Sequence, residues 1–188
     1  MTTAATQSAL EYAVSRVADH FMFGIYFDLS RYLIAAGVLT ALLLVFRGFA
    51  ERRRIQQGRR ASRADYMREI LSSMRTVVVY AFVTLAILVG RETGVILLSI
   101  KDATLWTIIW QFALIVIAHD AWFYWAHRAM HSKRLFRATH LHHHKSRTPT
   151  PWTAYSFTMT EAVIEVAFVP VFLLITSQLG IAYAGYAI

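Results

Sequence analysis

Cysteine is absent from this 188-residue chain, and proline occurs only three times. Disulfides and thiolate metal ligands are thereby excluded. The opening run MTTAATQSALEYA contains no basic stretch followed by an apolar core, so no cleaved signal peptide is expected. Internal repeats and low-complexity tracts are missing too, and the length leaves no room for a second domain. Acidic side chains number 11 against 19 basic ones, for a net charge of +8. That excess does not read as a nucleic-acid surface. Eight arginines lie between Arg47 and Arg68, directly between two apolar stretches and without the aromatic interleaving of a base-stacking face.

What is abundant is apolar surface. Hydrophobic residues make up 57% of the chain and the mean hydropathy is +0.45. Soluble domains average roughly 45–50% apolar residues. The expectation is an all-α integral membrane bundle, because every backbone polar group within lipid must be satisfied inside its own segment. Residues 1–28, with Phe21, Phe23, Tyr26 and Phe27, read as an interfacial segment. Residues 29–103 read as a first membrane hairpin whose spans cover about Tyr32 to Phe49 and Met74 to Val89, joined by the Arg-rich loop 47–68. The run Val95–Ile100 is too short to cross. Residues 104–188 form the remainder. A third span runs from about Thr104 to His127, and a fourth from about Glu161 to Ile175 with a kink at Pro170. Thr176–Gly180 reads as a turn, and Ile181–Ile188 as the start of a fifth span cut short. The Arg-rich loop and the six basic residues from Arg128 to Arg147 both favour the cytoplasmic side, with the N-terminus opposite and anionic membrane lipid in contact.

Seven of the eight histidines fall between His119 and His144. His127 and His131 stand four residues apart, so their rings project from one helical face. Asp120, Tyr124, His127 and His131 form one polar stripe, which on a membrane helix must face protein or a wet cavity. Asp120 is the expected orienting carboxylate for a histidine on another segment, with Tyr124 beside it. His140, His143 and His144 share a face at i, i+3 and i+4. Five neutral rings exceed the four ligands of a structural zinc site and imply two metal ions, zinc being possible among them. Haem fits less well, since rings one turn apart cannot take opposite axial positions. His20, His119 and His142 read as interfacial or locally bonded residues. Glu161 and Glu165 stand open between ligands and a solvated helix start.

As a string, His119-Asp120-Ala121-Trp122-Phe123-Tyr124-Trp125-Ala126-His127 through His131, then Leu135-Phe136-Arg137 and His140-Leu141-His142-His143-His144, resembles the fatty acid hydroxylase / sterol desaturase superfamily. Pro149 to Phe157 and Glu161-Ala162 continue the likeness, which covers about residues 105–175. The resemblance implies a non-haem di-iron centre on the cytosolic membrane face, held by His127, His131, His140, His143 and His144. There O2 would serve to hydroxylate or desaturate a sterol or fatty-acyl C–H bond. It further implies a bacterial inner membrane or endoplasmic reticulum location. Such proteins carry His-Pro where this chain has Thr158-Met159, and a third histidine box on a later segment. No flavin, nicotinamide or haem motif is visible, so electrons must come from a separate reductase or cytochrome. Two other readings are a truncated or degenerate relative that binds metal without turnover, and a metal transporter. The transporter reading is weakened because its ligands belong near the bilayer midplane on broken helices, not at a helix end.

Overall fold

The computed structural model describes residues 2–56, 58–96 and 104–175. All regular structure among these residues is helical: α1 (Thr2–Val45), α2 (Arg47–Arg52), α3 (Arg63–Glu92), α4 (Leu105–Met130), α5 (Phe136–Thr139), α6 (Met159–Val166) and α7 (Phe168–Ile175), with short 3-10 turns at His143–Lys145 and Pro151–Thr153. Three helices are long and apolar enough to cross a membrane, over Thr6–Val45, Arg63–Glu92 and Leu105–Met130.

Residues 2–28, expected as an interfacial segment, are helical and continuous with the first expected span in α1, which runs unbroken for 44 residues. At 1.5 Å per residue that helix is about 66 Å long, twice the roughly 30 Å hydrocarbon core. No proline or glycine-rich turn stands between the two halves to break it. The expected fourth span is not one helix. α6 and α7 have eight residues each and meet at Ala167. Proline at 170 has no N–H for the Val166 carbonyl and its ring crowds that group, so the break falls where the chemistry demands it. The expected run Val95–Ile100 lies mostly outside the described residues, and Thr176–Gly180 and Ile181–Ile188 lie wholly outside them.

Capping fixes the helix starts. Ser62 accepts from the Asp65 amide (3.2 Å) while Asp65 accepts from the Ser62 amide (2.9 Å), a reciprocal box that ends the Arg-rich loop and starts α3. Thr104 accepts from the Thr107 amide at 3.1 Å and opens α4. α1 and α3 form an antiparallel pair. At one end Glu92 pairs with Arg16 and His20. Midway, the absent side chain of Gly24 lets α1 approach the Ala81 backbone. At the other end Tyr32 Oη and Ser73 Oγ both donate to the Trp152 carbonyl, at 2.9 and 3.2 Å.

The buried face of α3 carries Glu69, Ser72, Ser73 and Thr76, small or polar residues at helical spacing. They receive the loop after the histidines: Thr150 donates to Glu69 (2.6 Å), Ser72 contacts His142 (2.7 Å), and Arg68 reaches Ser146 (3.4 Å). The Arg-rich end of the bundle and the histidine segment are therefore one layer. Beyond it, Ile115, Phe168 and Phe172 pack α4 against α7, and the Trp122 indole donates to the Ile164 carbonyl at 3.1 Å.

Candidate metal centre

His127 lies in the last turn of α4 and His131 caps its end. The i, i+4 spacing brings their Nε2 atoms to 3.2 Å. His144 approaches from the 3-10 turn, its Nε2 3.3 Å from that of His131. His140 follows α5 and enters between them, with ring centroids 4.5 Å from His127, 4.8 Å from His131 and 4.7 Å from His144. Ligand atoms of His127, His131 and His140 all lie within 4.8 Å of one another.

The segment bearing the second group of histidines is not the single helix expected from its spacing. It is a four-residue helix, a turn and a 3-10 turn, so the rings do not share one face. His140 and His144 turn inward to meet the α4 pair. His143 stands behind, its ring stacked on His140 at 5.4 Å and 15° and 5.5 Å from Phe157.

His140 is the anchor. It is 1% exposed, and its Nδ1 lies 2.6 Å from Oε1 of Glu161, which is equally buried. Its Nε2 is buried with no hydrogen-bond partner. With hydrogen on Nδ1, that atom donates to the Glu161 carboxylate and leaves the Nε2 lone pair free toward the other imidazoles. The opposite tautomer would bury an Nε2–H without an acceptor, which costs about 1–3 kcal/mol. Burial, reinforced by the surrounding imidazoles, pushes the His140 pKa down to about 4, so the ring stays neutral and able to ligate at physiological pH.

The donor set fits a metal ion. Nitrogens about 2.1 Å from a common ion stand roughly 3.0–3.4 Å apart in octahedral or tetrahedral arrangement, and the two measured separations are 3.2 and 3.3 Å. Hydrogen bonding alone does not account for them. The Nε2 of His131 carries either one hydrogen or one lone pair, yet it faces two other nitrogens.

The remaining expected residues are placed elsewhere. Asp120 is exposed and stands outside the group formed by His127, His131 and His140. Tyr124 accepts from Arg128 Nη1 at 2.8 Å. The carboxylate that orients a ring is Glu161, and its burial removes the solvated-helix reading of that residue. A sequence signal existed, since Thr158-x-x-Glu161 has the spacing of a capping box. Thr158 does accept from the Glu161 amide (3.1 Å), but the Glu161 carboxylate turns to His140 instead. Thr158 also donates to the Thr139 carbonyl at 2.6 Å, tying α6 to the residue before His140. His119 packs its ring on Phe168 (5.1 Å), His142 meets Ser72, and His20 meets Glu92.

An apolar cleft of about 710 Å³ runs along α4 from Ala118 to Ala126, facing α6 and α7, and stops one residue short of His127.

The fatty acid hydroxylase family model matches residues 112–188. A probable Delta(7)-sterol 5(6)-desaturase of Neurospora crassa is 28% identical over 120 residues, covering 62% of this chain and 35% of that protein. Methylsterol monooxygenase erg25B of Aspergillus fumigatus is 35% identical over 51 residues, 27% of this chain and 17% of that protein. Delta(7)-sterol 5(6)-desaturase ERG3A of Gibberella zeae is 38% identical over 53 residues, 28% of this chain and 15% of that protein. The chain thus spans about a third or less of the length of these curated relatives. No solved structure matches it. Through the histidine-bearing segment and its continuation, the chain is similar to the fatty acid hydroxylase family and to these sterol desaturases and this methylsterol monooxygenase.

Proposed function

We propose that this chain carries the metal-binding part of a membrane-bound non-haem iron oxidoreductase acting on a lipid C–H bond. The observation that carries the reading is the convergence of His127, His131 and His140, with the buried Nε2 of His140 aimed into the gap and unpartnered. Iron bound there would supply O2 activation, which imidazole nitrogen ligands support while leaving coordination positions open. Hydroxylation takes C–H, O2, two electrons and two protons to C–OH and water. Desaturation takes two adjacent C–H bonds with the same oxidant, electrons and protons to C=C and two waters. In either case the electrons come from a separate reductase or cytochrome.

The chain's own residues do the positioning. Glu161 holds the His140 ring and its tautomer, His127 and His131 present two nitrogens from one helix end, and His144 closes the edge. His143 is the further donor for a second iron, which the di-iron reading requires. Asp120 and Tyr124 stay outside this assignment. The apolar cleft beside α4 supports a lipid chain as substrate, since its lining offers dispersion contacts and almost nothing polar. The positive-inside rule puts the histidine layer, which shares its end of the bundle with the arginines, on the cytoplasmic side of the membrane.

Anaerobic loading with ferrous iron, followed by O2, a chemical or enzymatic reductant and bilayer lipid, tests the reading. Two irons per chain and an oxygen-dependent hydroxylated or desaturated lipid are expected. One zinc or no bound metal, with no product, would leave a non-catalytic relative instead.

A further inference from the structure

A second polar site lies deeper in the bundle and shares no residue with the histidine cluster. It is a cavity of about 350 Å³ lined by α1, α3, α4, α6, the start of α7 and the segment before α6, with Asp28, Arg31, Tyr80, His119, Tyr155 and Glu165 on its wall. Its level is set by helix geometry. Asp28 stands one turn from Gly24, at the tight α1–α3 approach, and one turn before Tyr32. His119 is eight residues before His127, or about 12 Å along α4. The cavity is thus within the apolar part of the bundle, where ionisable groups mark a functional site by default.

Asp28 is the telling residue. It is only 5% exposed, and its Oδ2 is buried with no hydrogen-bond partner. The nearest cation in sequence, Arg31, does not form an ion pair with it among the described residues; its guanidinium lies over the Phe27 ring, 5.3 Å from the centroid. A buried carboxylate oxygen left without a donor is costly, and a ligand bearing one O–H or N–H relieves it.

Charge selects among ligands. An anionic head group would face both Asp28 and Glu165, and an ammonium would face Arg31. A hydroxyl carries no charge, donates once to a carboxylate and accepts from a guanidinium or phenol. The rest of the wall is apolar, with Phe27, Val83, Ile87 and Val169, and Phe168 lines both this cavity and the apolar cleft beside α4. A polar end and an apolar continuation are what an amphiphile requires.

We propose that this cavity binds the hydroxyl end of a lipid alcohol, with Asp28 accepting the hydroxyl hydrogen bond and Arg31 donating to its oxygen. The site is independent of the metal reading, because none of its lining residues belongs to the histidine cluster.

The test uses the full chain, metal-free, in phosphatidylcholine nanodiscs, photolabelled with a long-chain primary alcohol carrying a diazirine or with the methyl ether of the same probe. The alcohol is expected to label peptides containing Asp28 or Glu165 at least about fivefold more than the ether, the factor for one hydrogen bond of roughly 1 kcal/mol. Asp28→Asn and Arg31→Gln should each lower that labelling, whereas His131→Ala should not. Retained helical circular dichroism certifies each variant, and if Asp28→Asn fails to fold, Arg31→Gln decides alone. Equal labelling by alcohol and ether, or unchanged labelling in the folded variants, means that the cavity holds only water and overturns the proposal. Loading the wild type with iron then separates the two sources of such a lipid: a labelled alcohol that is oxidised is a substrate, and one that is retained unchanged is a resident lipid.

Discussion

The Nδ1 of His140 lies 2.6 Å from Oε1 of Glu161 across 21 residues of sequence, and both side chains are 1% exposed. This contact joins the irregular histidine segment to α6. It also decides which ring nitrogen of His140 faces the neighbouring imidazoles. A carboxylate in that position raises the basicity of the ring and fixes its rotation before any ion arrives.

Glu161→Gln keeps an oxygen for Nδ1–H, while Glu161→Ala removes the acceptor altogether. Loss of an orienting partner typically costs 10–100-fold in metal affinity. Chelator competition should therefore show about a tenfold loss for Gln and a loss nearer a hundredfold for Ala. Equal affinity in all three proteins would mean that Glu161 does not orient His140.

Protonation of His140 should oppose folding of the metal-free protein. His140 resists protonation in the folded state down to about 4, against 6.5 for the free ring, because burial and the other imidazoles disfavour its charge. Between those values the unfolded chain binds the extra proton, so folding stability falls as pH is lowered through the window. Burial raises the Glu161 carboxyl to about 8, which acts in the opposite sense, so the contribution of His140 is read by difference. From pH 6.5 toward pH 4 the thermal midpoint of the wild type in detergent should fall relative to that of His140→Phe, and parallel profiles would remove His140 from the account.

The α4 half of the centre was legible because it obeys one period: two rings four apart on a regular helix must meet, and His127 and His131 do. The second half was not, since residues 136–145 fold as linked short turns, in which His144 meets His131 while His143 packs between His140 and Phe157. Asp120 shared the stripe of the α4 histidines by helical arithmetic, but the carboxylate that reaches a ring comes from a partner 21 residues distant from it. No local periodicity encodes that pairing. The continuity of α1 has a simpler origin: the chain contains nothing between Phe21 and Phe27 to end a helix.

Thr158 occupies the place where relatives of this family were expected to carry histidine, and it has structural work in both directions. Its hydroxyl caps α6 and donates to the Thr139 carbonyl. Thr158→Val removes both bonds, and the loss of a cap alone is worth about 1 kcal/mol. Denaturation in mixed micelles should show a loss of about 1–2 kcal/mol, largely restored in Thr158→Ser. A stable Thr158→Val protein would show that α6 is held by packing alone.

Gly24 and Gly37 lie on the same helix and should respond to the same substitution with opposite sign. A Cβ on Gly24 would come within 2.9 Å of the Ala81 Cα and 3.2 Å of its Cβ, whereas one on Gly37 meets nothing within 4 Å. Backbone cannot rotate out of the way as a side chain can, so Gly24→Ala must part α1 from α3, at a cost of about 1–3 kcal/mol for an overpacked contact. At Gly37 only helix propensity acts, and alanine there gains up to about 1 kcal/mol. Thermal midpoints of the two single variants in one detergent provide the comparison. Equal shifts would mean that α1 and α3 do not approach at Gly24. Since Asp28 stands one turn beyond Gly24, the same Gly24→Ala variant should also weaken labelling of the polar cavity.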